Sequence, residues 1–328
     1  MEKAYVIAEI AQGFEGNLKL CEKFVKVAKE SGAHAVKFQI FLAHELCRSD
    51  YQYNQLFKDL EISSVDWTKV INYASEIGID FYADIFGVDT LDWITKTKIK
   101  GIKIHGSDIK NYPFLEKVSQ FKGKIILSLG GSELGEIEKA LEFLKKNEVI
   151  LMSGFQGEPN FPSDVELNKI KILKDKFNCD IGYADHIDAN EVSLALTVPT
   201  VAYLSGATYI EKHLTFERNS LQLEDCISAL NPSEFKEMSK LLDQVSGFNK
   251  NENYVLSDRE KAYRVNTKKV PLINKDVQVG HTVGHNDIVF LRIGAQKPEV
   301  LLDYDQIIGK KLTKGLKKQD AILMEHLK

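Results

Sequence analysis

The sequence predicts an α/β fold, a (β/α)₈ TIM barrel followed by a small C-terminal domain. Eight short runs rich in β-branched or aromatic residues occur in the first 213 residues, and a longer segment with helical periodicity follows each run. The runs are mostly apolar without strict alternation, as a parallel sheet buried on both faces requires. Eight βα repeats favour a closed barrel, and an open doubly wound sheet is the alternative.

The predicted barrel elements follow one another along the chain. The strands span residues 5–9, 35–39, 79–84, 101–105, 124–129, 149–153, 180–184 and 208–213. Between the first two strands, Leu20, Phe24 and Val27 lie on one helical face. The last barrel helix is predicted over residues 232–245, because Asn231 and Pro232 form a helix start signal.

The composition changes after the predicted last helix. Residues 246–253 (SGFNKNEN) are polar and rich in turn-forming residues. The sequence therefore predicts a barrel domain over residues 1–245, a linker over 246–262 and a second domain over 263–328. The second domain contains short strands and turn signals. It is too small to be robust alone, so we expect it to lean on a barrel.

Charge and cysteine content restrict the partners and the compartment. A net charge of −4 without blocks of like charge argues against nucleic acid or an anionic membrane as the main partner. The four cysteines form no CxxC pair, which disfavours a zinc knuckle and suits a reducing cytoplasm. Neither a signal peptide nor a membrane span is predicted, so we expect a cytoplasmic protein.

Polar residues stand at or just after the end of every predicted strand. In a (β/α)₈ barrel the active site forms at the carboxyl ends of the strands. The residues at these ends are Glu9, Lys37, Gln39, Asp84, His105, Ser107, Ser128, Ser153, Gln156, Asp185, His186, Lys212 and His213. Their convergence predicts an active site at this end of the barrel.

His186 and His213 end neighbouring strands, so their imidazoles are expected to meet over one point. Two neutral imidazoles with oxygen ligands suit a divalent transition ion such as Mn²⁺, with Mg²⁺ or Co²⁺ as alternatives. Asp185 and Asp225 lie near them and could supply oxygen. The alternative is that the histidines only hydrogen-bond the barrel rim.

Lys37 lies inside an apolar strand, where a lysine is costly unless it meets an anion. It could bind a phosphate or carboxylate, or act as a Schiff-base nucleophile. Lys103 and Lys212 raise the same question, with a rim lysine that reaches solvent as the alternative. Glu9 follows the first strand, where a carboxylate can hold a hydroxyl group or transfer a proton.

These motifs resemble the sialic acid synthases and related nonulosonate synthases over nearly the whole chain. The matching segments are AEI at 8–10, VKFQ at 36–39, KI at 103–104, LSLG at 127–130, GYADH at 182–186, IEKHLT at 210–215 and NPSEF at 231–235. The C-terminal segments LRIG at 291–294 and IIGKK at 307–311 resemble the family's antifreeze-like (SAF) domain. Taken together, the motifs form a specific signature.

The resemblance implies an enzyme, a transferase that condenses phosphoenolpyruvate with an open-chain aldose or N-acetylhexosamine and releases phosphate. It assigns catalytic roles to Glu9, Lys37, His186 and His213, with Mn²⁺ on the two histidines. The residues that it places on phosphoenolpyruvate are Lys37, Gln39, Lys103, Ser107, Ser128 and Gln156. It places Asp225, Glu158 and Arg292 on the sugar. It also implies a domain-swapped homodimer, with Arg292 reaching the partner's site.

Several positions depart from the family pattern, mainly on the sugar side. Asp84 replaces the threonine of a Ser-Thr-Pro motif, Ala184 replaces a serine, and Glu158 stands where a tyrosine is usual. We therefore expect an acceptor sugar other than ordinary N-acetylmannosamine. Two rival functions stay open: a Schiff-base aldolase that uses Lys37 or Lys212, and a non-catalytic barrel that binds a sugar or phosphate.

Overall fold

A computed structural model of the chain describes residues 3–157, 160–218, 226–248, 253–294 and 302–328. The chain divides into two compact units, Met1–Phe248 and Asn249–Lys328. In the described part of the chain, no helix has the length and apolar character needed to cross a membrane.

The first unit is built on eight parallel strands that close into a barrel in chain order. The strands are β1 (Tyr5–Ala11), β2 (Ala35–Ile40), β3 (Asp80–Ile85), β4 (Gly101–Ile104), β5 (Lys124–Ser128), β6 (Val149–Ser153), β7 (Asp180–Asp185) and β8 (Tyr209–His213). Each agrees with a predicted strand to within two residues at either end. The predicted (β/α)₈ barrel is confirmed.

Helices follow the strands and pack around the barrel. They are α1 (Leu18–Glu30), α2 (Ala43–Leu46), α3 (Asn54–Leu60), α4 (Ser64–Ile77), α5 (Val88–Ile94), α6 (Tyr112–Val118), α7 (Leu134–Leu144), α8 (Asn168–Lys176), α9 (Val192–Leu204) and α10 (Pro232–Ser246). Helix α10 starts where the sequence predicts, because Pro232 is in the first turn and Glu234 caps the Asn231 N–H at 2.8 Å.

The inward-facing side chains of the strands divide the barrel lumen into two parts. Toward the amino ends of most strands the lumen is apolar and aromatic, and we call this part the lumen floor. Its residues are Ile7, Ala35, Tyr82, Ile126, Ile150, Met152, Ala184 and Tyr209. Tyr5 packs beneath them, with its ring centroid 5.1 Å from that of Tyr209. The floor therefore closes one end of the barrel.

The second unit is smaller and has its own core. It contains α11 (Asp258–Thr267), β9 (Val270–Ile273), β10 (Ile288–Leu291) and α12 (Tyr304–Ile307). The strands β9 and β10 pair antiparallel, with Ile273 opposite Ile288. Among the described residues of this unit, the core is formed by the buried apolar side chains of Ile273, Val277, Val283, Leu302, Ile307, Leu312, Leu316 and Ile322.

Asp287 is a buried carboxylate in this smaller unit, and its partners are all local. Its Oδ2 accepts a 2.9 Å hydrogen bond from the Gly284 N–H and lies 2.7 Å from His281 Nε2. Its Oδ1 lies 2.7 Å from Lys275 Nζ. The Lys275 ammonium and the Gly284 N–H hold the pKa of Asp287 well below its usual range, with His281 adding to them against burial.

Candidate functional site

Five charged side chains lie in the lumen on the carboxyl side of the floor. Side chains alternate along a strand, so the residue two positions after an inward-facing one also faces inward. Glu9 follows Ile7, Lys37 follows Ala35, and Asp84 follows Tyr82 in this way. Lys103 on β4 and Glu211 on β8 complete the group, which we call the charged layer.

The charged layer is a continuous network of ion pairs. Lys37 Nζ contacts Glu9 and lies 3.5 Å from Glu211 Oε2. Lys103 Nζ lies 2.7 Å from Glu211 Oε1, and both lysines lie 3.9 Å from Asp84 Oδ2. Every member has 3% or less of its surface exposed. Three carboxylates and two ammonium groups give the layer a formal charge of −1.

The layer shifts the pKa values of Glu211 and Lys103 in the directions that keep these two groups charged. Burial opposes ionisation of Glu211, but Lys103 and Lys37 outweigh burial and hold the pKa of Glu211 at about 2. Burial also opposes the charge of Lys103, and Glu211 and Asp84 outweigh it, so the pKa of Lys103 is raised. Lys37 differs, because burial dominates and lowers its pKa to about 8.

The two predicted metal ligands stand side by side at the same end of the lumen. His186 directly follows β7, and His213 ends β8 opposite Glu9 of β1. Their ring centroids are 5.1 Å apart. Burial, with Lys103 next, lowers the pKa of His186 to about 3, and burial with His186 next lowers the pKa of His213 well below its usual value. Both rings are therefore neutral at physiological pH.

This pair fits the donor set of a divalent transition ion. Neutral imidazole nitrogen is a common ligand of such ions. His186 Nδ1 is buried, and no hydrogen-bond partner reaches it among the described residues. The described residues contain no group of three or more His, Cys, Asp or Glu side chains placed to hold a metal. A site here would therefore rest on two protein ligands in this part of the chain and leave positions open for substrate.

Loops after β4, β5 and β6 meet beside the charged layer. Ser128, the last residue of β5, is 1% exposed. A Cβ atom on Gly130 would lie 2.9 Å from Gln156 Oε1, and one on Gly106 would lie 2.9 Å from the Gly130 carbonyl oxygen. The two glycines thus let these loops approach closely, and they place Gln156 against the loop that begins after Ser128.

Ser107 and Gln39 lie at the edge of this group. Ser107 is exposed, and its N–H donates to His105 Nδ1 at 3.3 Å. Gln39, two residues beyond Lys37 on β2, lies opposite Asp84 of β3 and accepts a 2.9 Å hydrogen bond from Gln12 Nε2. Both are therefore near the lumen entrance rather than at its centre.

The end of β1 is locally strained around Glu9. Ala11 has a φ of 51°, in the left-handed region that non-glycine residues rarely adopt. The Glu9 Oε1 atom accepts a 2.7 Å hydrogen bond from the Ala11 N–H, and the register between β1 and β2 shifts at this point. The end of the strand thus holds the Glu9 carboxylate in place. Backbone strain of this kind is common at functional sites.

Lys212 and Asp185 face away from the lumen, although both stand at predicted strand ends. Lys212 Nζ lies 2.6 Å from Asp185 Oδ2 and donates to the Ile187 carbonyl oxygen at 3.1 Å. Both side chains are fully buried. They alternate with the inward-facing Glu211 and His186, so they lie between strands and helices. Neither is therefore placed to act on a substrate in the lumen.

A cavity of 490 Å³ lies next to these loops, outside the lumen. Ser153, Gly154 and Phe155 line it on one side, and Lys169 and Ile172 of α8 line it on the other. The histidines and the lysines of the charged layer are not among its lining residues. The concentration of reactive groups therefore points to the lumen as the candidate active site.

Of the three predicted sugar-binding residues, the structure describes only Arg292. Glu158 and Asp225 lie outside the described residues. Arg292 is exposed in the smaller unit, directly after β10, and its role in a partner's site stays a prediction. The identification of the smaller unit as a SAF domain also stays a prediction.

Of the members of the charged layer, Glu211 is not predicted from the sequence. Asp84 is predicted only as one of the polar strand ends and as a departure from the family pattern. The signal that could have found Glu211 is alternation, because His213 and Glu211 must face the same way along β8.

Comparison with known proteins agrees with the motifs. Residues 24–253 match the NeuB family. The chain is 31% identical over 325 residues to an uncharacterised protein of Methanocaldococcus jannaschii, covering 98% of this chain and 94% of the relative. It is 28% identical over 344 residues to the N,N'-diacetyllegionaminic acid synthase of Legionella pneumophila, covering 98% and 94%.

A solved structure gives the same result. The N-acetylneuraminic acid (sialic acid) synthetase of Leptospira borgpetersenii, in complex with citrate, matches with a TM-score of 0.73 and 28% identity. The match covers 80% of this chain and 92% of that one. The predicted sialic acid synthase resemblance is confirmed, and the chain belongs to the NeuB family.

Proposed function

We propose that this protein is a nonulosonic acid synthase that condenses phosphoenolpyruvate with an aldehyde sugar and releases phosphate. The observation that carries the proposal is the juxtaposition of two neutral, buried imidazoles with a layer of buried lysines and carboxylates in one lumen. The related synthases, named for legionaminic and sialic acids, support the same reaction class.

The lysine side of the site suits the phosphoenolpyruvate anion. Lys37 and Lys103 hold fixed positive charges in a lumen where water does not screen them. Ser128, at the end of β5, and Gln156, in the loop after β6, can donate hydrogen bonds to carboxylate or phosphate oxygens. In the proposed complex the anion would share the two ammonium groups with Glu9 and Glu211, which already pair with them.

The histidine side suits the aldehyde. His186 and His213 would hold a divalent ion, with Mn²⁺ as the expectation. The chemistry that such an ion supplies when bound is Lewis-acid polarisation of the aldehyde oxygen. Burial keeps both imidazoles neutral at physiological pH, and the neutral ring is the form that binds a metal ion.

The proposed reaction forms one C–C bond and breaks one C–O bond. C3 of phosphoenolpyruvate attacks the aldehyde carbon, and the aldehyde oxygen gains a proton to become a hydroxyl group. Water adds at C2 and gives up both of its protons, one that balances the proton gained by the aldehyde oxygen and one that goes to the departing phosphate. Phosphate leaves with the C2–O electron pair, and the water oxygen becomes the ketone oxygen of a 2-keto acid. Glu9, fixed by the Ala11 N–H at the lumen entrance, is the carboxylate that we assign to proton transfer at the reacting carbons.

The smaller unit carries Arg292, the residue expected to bind the sugar of a partner subunit. We infer a domain-swapped homodimer in which Arg292 reaches the partner's sugar. Arg292→Ala alone should weaken sugar use and leave the fold intact. Mixed with a His213→Ala chain, it should regain part of the activity through subunit exchange. A mixture that stays as inactive as its components would contradict the swapped arrangement.

The first experiment measures phosphate release from phosphoenolpyruvate with Mn²⁺ across a panel of aldoses and N-acetylated hexosamines, including 2,4-diacetamido sugars. Sugar-dependent release that EDTA abolishes and Mn²⁺ restores supports the proposal and names the acceptor class. We expect N-acetylmannosamine not to be the best acceptor. No release with any sugar would overturn the proposal for this panel and favour a binding protein.

A Schiff-base aldolase is the second candidate, and one observation favours it. Burial lowers the pKa of Lys37 to about 8, which increases the fraction of nucleophilic amine near neutral pH. Lys212 no longer supports this candidate, because it pairs with Asp185 outside the lumen. Borohydride in the presence of a carbonyl substrate would trap an adduct on Lys37, and EDTA would not inhibit.

A further inference from the structure

One buried ammonium group joins the two strands that carry the paired histidines. Lys212 on β8 and Asp185 on β7 are register partners. Lys212 directly precedes one histidine, His213, and Asp185 directly precedes the other. Lys212 Nζ lies 2.6 Å from Asp185 Oδ2 and donates to the Ile187 carbonyl oxygen at 3.1 Å. A single ammonium group therefore contacts the residue before His186 and the residue after it.

The stability of the fold does not require an ion pair at this place. Both side chains are fully buried, so the cost of removing two charges from water opposes their attraction, and apolar side chains of similar volume often stabilise a core as well or better. A buried ion pair can instead specify register, because its ammonium group is satisfied only where its acceptors lie within reach. The Lys212–Asp185 pair is suited to fixing β7 against β8.

The histidine pair depends on the relative position of these two strands. A slip of one residue would turn an imidazole to the outer face of the barrel, and a smaller displacement would change the 5.1 Å between the ring centroids. The described residues hold no third His, Cys, Asp or Glu side chain grouped with the two histidines. In this part of the chain, the geometry of a metal site would therefore follow from the positions of β7 and β8.

Backbone contacts hold each histidine to its neighbouring loop. The Asn160 N–H, in the loop after β6, donates to the His186 carbonyl oxygen at 3.0 Å. The Leu230 N–H, at the end of the loop after β8, donates to the His213 carbonyl oxygen at 2.9 Å. These bonds do not join one histidine to the other. The ion pair supplies a side-chain link between the two strand ends.

We propose that the Lys212–Asp185 ion pair positions His186 and His213 for binding a divalent metal ion. Its role is indirect, because both side chains face away from the lumen and act through the histidines. This inference rests on the proposed function, in which the two imidazoles hold the ion. Removal of the ion pair should therefore weaken the metal affinity of a protein that is still folded.

The test measures the dissociation constant of Mn²⁺ on metal-free protein by calorimetry, with urea unfolding of the same preparation. Lys212→Met leaves Asp185 buried without its partner and should lower both metal affinity and stability. Adding Asp185→Asn removes the second charge and should recover most of the stability. We expect the dissociation constant of this double variant to stay about ten- to hundredfold above that of the wild type.

Ile126→Ala is the matched control, because it destabilises the same barrel from the lumen floor and leaves the two histidine strands unchanged. It should bind Mn²⁺ with an affinity near that of the wild type. If the control loses as much affinity as the double variant, the loss follows from general destabilisation and the inference is wrong. If Lys212→Met and the double variant do not fold, Asp185→Asn alone, which keeps an acceptor oxygen for Lys212, should raise the dissociation constant by a smaller factor.

A folded double variant that binds Mn²⁺ as tightly as the wild type would show that the ion pair serves only the fold. A wild-type protein that binds no Mn²⁺, with or without phosphoenolpyruvate, would refute the proposed metal site, and the inference falls with it. A wild-type protein that binds Mn²⁺ but releases no phosphate with any sugar would refute the synthase reaction alone. The affinities of the variants would then still decide whether the ion pair positions the histidines.

Discussion

The lumen floor and the charged layer occupy neighbouring positions in one barrel, yet the buried side chains of the floor are apolar and aromatic and those of the layer are ionisable. Floor residues such as Ile126 and Ile150 are fully buried apolar side chains in mutual contact. Two residues beyond Ala35 and Tyr82 of the floor, Lys37 on β2 and Asp84 on β3 are just as buried and have ionisable side chains. The backbone environment is the same, so the difference lies in what each layer contributes to stability and to chemistry.

Burying an apolar side chain such as Ile126 stabilises the fold by about 1.5–3 kcal/mol. Burying a charge costs free energy unless interactions with its partners offset that cost. A buried ion pair seldom stabilises a fold much more than an apolar pair of similar size. The floor can therefore be explained by folding alone. Folding alone does not explain the charged layer, so its presence points to function. The predictions below test that division.

The largest expected effect is on the histidine pair. His186→Ala or His213→Ala should lower sugar-dependent phosphate release by about a thousandfold, because several kcal/mol of charge stabilisation are lost. The thermal stability of the His186→Ala protein should change little, since His186 Nδ1 has no hydrogen-bond partner in the described part of the chain. His44→Ala, an exposed histidine that pairs with Asp89, is the control. Full activity in either variant would exclude a metal role.

The next effect is on the ion pairs of the charged layer. Lys103→Met leaves Glu211 without its 2.7 Å partner and should lower the free energy of unfolding by about 3–5 kcal/mol. Adding Glu211→Gln should recover most of that stability without recovering activity. Urea unfolding and phosphate release measure the two quantities. A double variant that regains activity would show that the pair serves only the fold.

A substitution in the floor should behave in the opposite way. Ile126→Ala is expected to lower the free energy of unfolding by about 2–5 kcal/mol through lost burial and a cavity. The kcat of the folded protein should remain within a few-fold of the wild type. Urea titration and steady-state kinetics on the same preparation test this. A large loss of kcat in a fully folded Ile126→Ala protein would show that the floor also contributes to catalysis.

The smallest expected effect concerns Asp287, a buried carboxylate whose partners are complete, unlike those of Asp84. Its folded pKa is depressed below the unfolded value of about 4. Its contribution is therefore present above pH 4 and is lost as the pH falls below it. Asp287→Asn should destabilise the smaller unit by about 1–3 kcal/mol at pH 7. Thermal unfolding at pH 7 and pH 3 should show a smaller pH dependence in the variant than in the wild type.

The sequence predicted the barrel closely because its signals are local. Apolar runs such as residues 149–153 and start signals such as Asn231 and Pro232 depend on nearby residues alone, and the structure places both as expected. The histidines and lysines could also be found, because the motifs IEKH and VKFQ stand at strand ends.

The pairing within the site could not be predicted in the same way. Lys103 and Glu211 are 108 residues apart, and their contact depends on barrel closure between β8 and β1 and on the stagger of the strands. Lys212 looked as promising as Lys37, yet a one-residue difference in alternation turns it to the outer face. Side-chain direction follows from exact register, which a pattern of residue types leaves open.

The closed floor also has a consequence for the order of events. In the described part of the barrel, Tyr5, Tyr82 and Tyr209 fill the amino end of the lumen, so a molecule would enter and leave at the carboxyl ends of the strands. In a lumen that is closed at one end, the ligand that binds deepest must bind first and be released last. If the anion rests on Lys37 and Lys103 while the sugar lies above it, steady-state kinetics should follow a compulsory sequence rather than a random one.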